Sequence, residues 1–245
     1  MTPLPEAVRA AIPAARAASR ETALRWRESE AWRAASAGFA DDADAAAFAE
    51  GLLGDGAWVS ALLAPLVEAL ACDPLFEPPF RLSRDPVRTG AVIFDCPAAS
   101  ISASVLDAAA LAAMPVPATI VFPGRMTVTR YQKAGGAMLR RWEADRLGTG
   151  VGAAPCRALP AVQLADGQVQ RVDGRVQAQL LCGAQTDVVL LTATIRAGSD
   201  PLIREYRTAD GAFVRAASAD DGASRTEMLL TFLRLSGRAD AGARF

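Results

Sequence analysis

Basic side chains gather between positions 125 and 146, where Arg125, Arg130, Lys133, Arg140, Arg141 and Arg146 stand against only Glu143 and Asp145. In extended chain, alternation puts Arg125 and Tyr131 on one face and Arg141 with Glu143 on a face of the next segment. Guanidinium groups grip carboxylate and phosphate in a two-pronged geometry, so such a face is a candidate clamp for a small anion. The ligand-binding candidates are therefore Arg125, Tyr131, Arg141 and Glu143, with Tyr206 as the second tyrosine a pocket could use. A solvated sheet face laced by cross-strand ion pairs is the competing reading of the same residues.

Other chemistry is harder to assemble. Lys133 is the only lysine, and with the row Ser100, Ser102, Ser104 it forms the one conceivable serine–lysine dyad. Serines alternating with apolar residues are, however, what the wet face of a strand carries. Glu143 with Asp145, or Asp95 with Glu205, would do acid–base work only if folding brought them into a cleft of low dielectric. Gly148, Gly150 and Gly152 lie in LGTGVGAAP without the lysine–serine pair of a phosphate loop and read as a loop over a binding mouth.

The chain has no histidine. That removes a Ser-His-Asp triad, a Cys-His dyad, a HExxH zinc site and any imidazole-built metal centre supplied by this chain alone. Cys72, Cys96, Cys156 and Cys182 are too widely spaced for a CxxC site, so they are expected to be reduced and structural. No cofactor and no metal are expected.

The 245 residues carry 26 basic and 27 acidic side chains with 51% of the apolar class, enough chain for one large domain or two smaller ones. Residues 1–75 hold a net charge of −5 and residues 76–245 a net +4. The acidic part is the helical one, which argues against a nucleic-acid reader. The opening MTPLPE lacks the basic and apolar stretches of a secretion signal, so a cytoplasmic protein is expected. Ala108 to Gly124 is uncharged but short, and it is broken by Pro115, Pro117 and Pro123, so no membrane segment is expected.

These side chains need elements to hold them. The spacing predicts a helical domain over residues 1–75. In it Ser19 caps a helix through Trp26 and Trp32 to Gly38, Asp41 and Asp42 open a second, and Trp58, Leu62, Leu66 and Leu70 form one face of a third that Pro65 bends. Residues 76–89 form a proline-rich connector. From residue 90 the period becomes two, with Asp-Gly turns at 166–167, 173–174 and 210–211 between runs that can pair, so eight to ten antiparallel strands are expected over 90–245. Ser224 and Glu227 fit a capping box for a terminal helix at 225–236, whose Met228, Leu229 and Phe232 would cover the sheet. The fold class is α+β: a small helical bundle, then an antiparallel β-sandwich or jelly-roll barrel with a C-terminal helix.

The runs Gly90-Ala91-Val92-Ile93-Phe94 and Ile120-Val121-Phe122-Pro123-Gly124-Arg125, followed by the Asp-Gly meander, resemble the cupin barrel in rhythm across roughly residues 90–217. Cupin metal sites are built from histidines and a glutamate, and no histidine stands at any matching position here. The resemblance therefore implies a metal-free barrel, of the kind that binds small molecules or serves as a structural module.

Three functions follow. The favoured one is a non-catalytic binding or regulatory protein recognising a small anionic ligand or a protein partner. The second is a metal-independent isomerase or lyase using arginine, tyrosine and carboxylates. The third is an accessory subunit whose helical domain, through Trp26, Trp32 and Trp58, docks on a partner enzyme or on a second copy. The state of the barrel interior decides among them: apolar filling makes a scaffold, while an open interior lined by polar groups makes a receptor or a catalyst.

Overall fold

The computed structural model describes residues 5–41, 44–146 and 154–219, with 226, 228, 229, 231 and 232 of the stretch that follows. Four helices lead: α1 (Glu6–Arg27), α2 (Glu30–Asp41), α3 (Ala45–Gly54) and α4 (Ala57–Cys72). Then come β1 (Leu82–Arg84), β2 (Arg88–Asp95), β3 (Ala99–Leu106), a short α5 (Ala108–Ala113), β4 (Thr119–Phe122), β5 (Met126–Lys133) and β6 (Met138–Glu143). The described strands end with β7 (Arg157–Gln163), β8 (Val169–Asp173), β9 (Gln177–Cys182), β10 (Val188–Ile195), β11 (Leu202–Arg207) and β12 (Phe213–Ser218).

Every pairing is antiparallel. One sheet runs β1-β2-β3-β10-β5-β8; the others run β7-β6-β9 and β12-β11-β4, and β4 lies alongside β9. Strands adjacent in sequence thus fall into opposite layers from β3 to β6, which is the jelly-roll arrangement. The fold class is α+β as expected, with helices first and a jelly-roll barrel after them.

The outer face of the six-stranded sheet is where the helices pack. Phe94 of β2 has no exposed surface and is met by Trp32, Phe39 and Trp58 with ring centroids 4.8, 5.9 and 5.9 Å away. Trp26 packs edge-on against Trp32 and donates its indole N–H to the Leu62 carbonyl at 2.7 Å, one turn before Pro65. The tryptophans expected to form a docking face therefore point at the barrel. Sheet residues Ile101, Val128, Leu191, Ala193 and Ile195 complete one continuous core with the helices.

α3 is strapped to the sheet at both ends. Asp44 caps it by accepting from Ala47 N at 3.1 Å and also meets Arg171 of β8 at 3.3 Å. At the other end Arg130 of β5 donates to the carbonyls of Leu53 and Gly54, which lack partners of their own within the helix.

Several local expectations give way to tertiary structure. Ser19 lies inside α1, where its hydroxyl donates to Ala15 O and accepts from Glu77 N, so it ties the helix to the following chain rather than capping it. Asp41 closes α2 instead of opening α3, for which Asp44 is the cap. β1 and the start of β2 occupy the stretch read as a connector. Of the three Asp-Gly turns, only Asp210-Gly211 joins a paired hairpin; the other two carry the chain between sheets. Twelve strands are described, two more than the upper expectation, because β1 and β12 extend the sheets at their outer edges. The described residues of 226–232 are helical, but Met228, Leu229 and Phe232 are more than half exposed, so they do not cover the sheet. The rest of that helix and its capping serine and glutamate lie outside the described residues, as do Gly148, Gly150 and Gly152. Among the described residues no single helix is long and apolar enough to cross a membrane.

Candidate functional site

Because directly opposed residues in antiparallel strands point to the same face, the register tells which side chains enter the barrel. Ile101, Ala193, Val128 and Arg171 align across four strands on the helix-covered face. Their neighbours Ser102, Thr192, Thr129 and Gln170 align on the other, which faces the second layer. Thr194 and Ser100 pair beside them with Thr127 and Val172, and Ser104 and Leu190 with Tyr131. The wet face of the serine strand is thus the inner face of the barrel.

One end of the interior is filled by Tyr131, Leu139, Leu164 and Val188, with Leu106, Leu181 and Leu190 against them. Where edge strand β8 meets β6, β7 and β9 there is a cleft of about 260 Å³ lined by Arg141, Leu159, Gln170, Arg171, Val172 and Gln179 among others. Arg141 of β6 stands opposite Gln179 of β9. Its Nε and one Nη donate to Pro160 O at 3.2 and 3.1 Å, and among the described residues no carboxylate pairs with it. Arg171, also at the cleft, is held by Asp44. The Oε1 of Gln179 is fully buried and has no hydrogen-bond partner.

Tyr131 is 2% exposed. Burial pushes its phenol up to about 12, and a hydrogen bond with Gln179 opposes that rise only in part. The group therefore stays protonated at ordinary pH and serves as a hydroxyl, not as a base.

The five expected site residues separate. Tyr131 and Arg141 come together through Gln179. Glu143 lies two residues beyond Arg141 on the same strand face, but Arg157 binds its carboxylate at 2.5 Å. Arg125 precedes β5 and donates to Ala219 O at 3.3 Å, away from the cleft. Tyr206 belongs to another core, with Phe122, Trp142 and Phe213. There it accepts from Arg204 at 3.0 Å; that guanidinium is 1% exposed, donates also to Asp145 O and Arg175 O, and lies over the Phe122 and Tyr206 rings. Lys133 is exposed at the end of β5 and makes no hydrogen bond with Ser100, Ser102 or Ser104. The three glutamines of the cleft were missed because a neutral amide carries no spacing signal; the serine and threonine alternation was visible, but not which way it faced.

A cupin-like interior raises the question of a metal. Among the described residues no three cysteine, aspartate or glutamate side chains cluster, and the chain has no histidine. The cleft offers the amides of Gln170, Gln177 and Gln179 and the guanidiniums of Arg141 and Arg171, a set dominated by hydrogen-bond donors and fixed positive charge. That chemistry does not fit a divalent cation.

No protein-family model matches the chain, and no curated protein matches it. Similar solved structures include a cupin domain from Bordetella pertussis Tohama I, at TM-score 0.29 and 14% identity over 47% of this chain and 99% of that one. A cupin 2 conserved barrel domain protein from Rhodopseudomonas palustris gives TM-score 0.32 and 11% identity over 52% and 79%. A structure described with the DMSP lyases RdDddP and RnDddQII gives 0.30 and 11% over 56% and 66%. These likenesses bring neither metal, ligand nor reaction to this chain.

Proposed function

We propose that the protein binds a small anionic ligand in this cleft without transforming it. The observation that carries this reading is an arginine, Arg141, that has no acidic partner among the described residues and lines a cleft with three glutamines. An anion satisfies that guanidinium, and a charge-assisted hydrogen bond to Arg141 contributes about 1.5–3 kcal/mol. The lack of catalysis rests on the state of the neighbouring groups. Tyr131 holds its proton, and the nearest acid on the same strand face, Glu143, is occupied by Arg157. The anionic helical layer, on the opposite side of the six-stranded sheet, has its tryptophans spent on packing, which makes it a support for the barrel.

The test is calorimetric titration of the wild type and of Arg141→Gln with succinate, D-glucuronate and inorganic phosphate. At least one anion is expected to bind the wild type, with a loss of about ten- to a hundredfold in the variant. Silence from all three anions, or binding that ignores the substitution, would overturn the proposal.

A further inference from the structure

A second cleft lies outside the barrel, where the end of α1 and the start of α2 meet β2 and the chain entering β1. It encloses about 260 Å³ and is lined by Trp26, Arg27, Trp32, Phe80, Arg81 and Val92 among others. Trp26 is spent on the shared core, but Trp32 and Phe80 are only half-buried and Val92 is 50% exposed, so the cleft keeps an apolar lining that packing has not used up. Each of the two half-buried rings meets Trp26 edge-on, with centroids 4.8 and 6.4 Å from it, so one buried indole fixes them both.

Positive charge borders this lining. Arg27 and Arg81 are exposed, and among the described residues no carboxylate pairs with either. Asp95, the one acid lining the cleft, is held by Arg196. No amide or hydroxyl side chain lines it, so a sugar, or the hydrogen-bonding edge of a base, would find little to pair with. Water solvates exposed guanidiniums well, so charge alone carries little affinity here. Ring surface carries more, through burial and through edge-to-face contacts that a saturated ring does not make. An apolar cavity of roughly 150 Å³ holds one benzene ring, so about 260 Å³ takes one ring with a short acidic side chain.

We infer that this cleft binds a small aromatic monocarboxylate, its ring against Trp32, Phe80 and Val92 and its carboxylate at Arg27 and Arg81. The cleft shares no lining residue with that of Arg141, so the inference stands apart from the anion reading above.

The experiment titrates phenylacetate, phenylacetamide, cyclohexylacetate and acetate into the wild type, Arg27→Gln, Arg81→Gln and Arg141→Gln by calorimetry, with thermal midpoints as the check on folding. Both rim residues are exposed, so the midpoints are expected to stay in place. Phenylacetate is expected to bind the wild type most tightly, cyclohexylacetate about threefold and phenylacetamide about tenfold more weakly, with acetate silent. Substitution of Arg27 or Arg81 should weaken phenylacetate about three- to fivefold each and leave phenylacetamide unchanged. Arg141→Gln should leave phenylacetate unchanged. Equal binding of phenylacetate and its amide, phenylacetate binding indifferent to both rim substitutions, or no binding of phenylacetate would overturn the inference. Phenylacetate binding lost in Arg141→Gln and kept in both rim variants would also overturn it, while supporting the anion reading.

Discussion

Both tyrosines of the chain are buried, and both phenols are pushed up by that burial, Tyr131 to about 12. In the unfolded chain they titrate near 10, so above that pH the folded state holds protons that the unfolded state has lost. Stability linked to these groups is thus complete below about pH 10 and disappears as pH rises toward about 12, a loss on the order of 2 kcal/mol from Tyr131. Urea midpoints measured across that window should fall, with phenolate absorbance appearing together with unfolding. Phenolate that titrates near pH 10 in the folded protein would show the hydroxyls are open to water. At this scale the sequence was informative where charge mattered and silent where environment did. Arg141 was legible as a candidate, whereas Arg204 looked like any other arginine and proves to be the most buried charged residue among those described. It is held by carbonyls, a phenol and ring faces, none of which has a fixed spacing from it in sequence.

Turns carry the chain from one layer to the other, and the Gly135-Gly136 turn between β5 and β6 shows what that requires. Gly135 has φ +61°, and a Cβ there would run into the Thr186 carbonyl oxygen, because the turn packs against the segment entering β10. Gln185 and Thr186 both donate their backbone N–H to Gly135 O, which fixes the approach. Gly135→Ala should therefore cost more than the roughly 1 kcal/mol of left-handed strain alone, about 2–3 kcal/mol, measured by urea denaturation. A cost under about 1 kcal/mol would mean the contact relaxes freely. Elements themselves were largely readable: alternation located the strands, and apolar spacing located α4. Partnership was not readable, because an Asp-Gly dipeptide specifies a reversal of direction but not whether the next strand pairs with the last. Nor could Ser19 be told from a cap, since its real partner, Glu77 N, is remote in sequence.

Across the whole molecule, the division into a helical and a β portion is one of element type, whereas the core is shared. Phe94 alone joins α2, α4 and the sheet, and Arg130 and Asp44 fasten α3 at its two ends. The two portions are expected to unfold as one unit. Both tyrosines, Tyr131 and Tyr206, lie in strands while helix content reports the other portion, so urea transitions followed by tyrosine absorbance and by far-ultraviolet dichroism should coincide. Separate midpoints would establish two independent domains.

Alternation between layers also sets how the chain must find its fold. β10 lies between β3 and β5, and its partners in β3 are more than eighty positions earlier in the chain. The central strand of the helix-bearing sheet is thus synthesised well after both its neighbours, and neither can close the sheet without it. Topologies so dominated by distant pairings fold on the slow side, in milliseconds to seconds. Until β10 arrives, the serine strand and the threonine strand expose open backbone edges to other nascent chains.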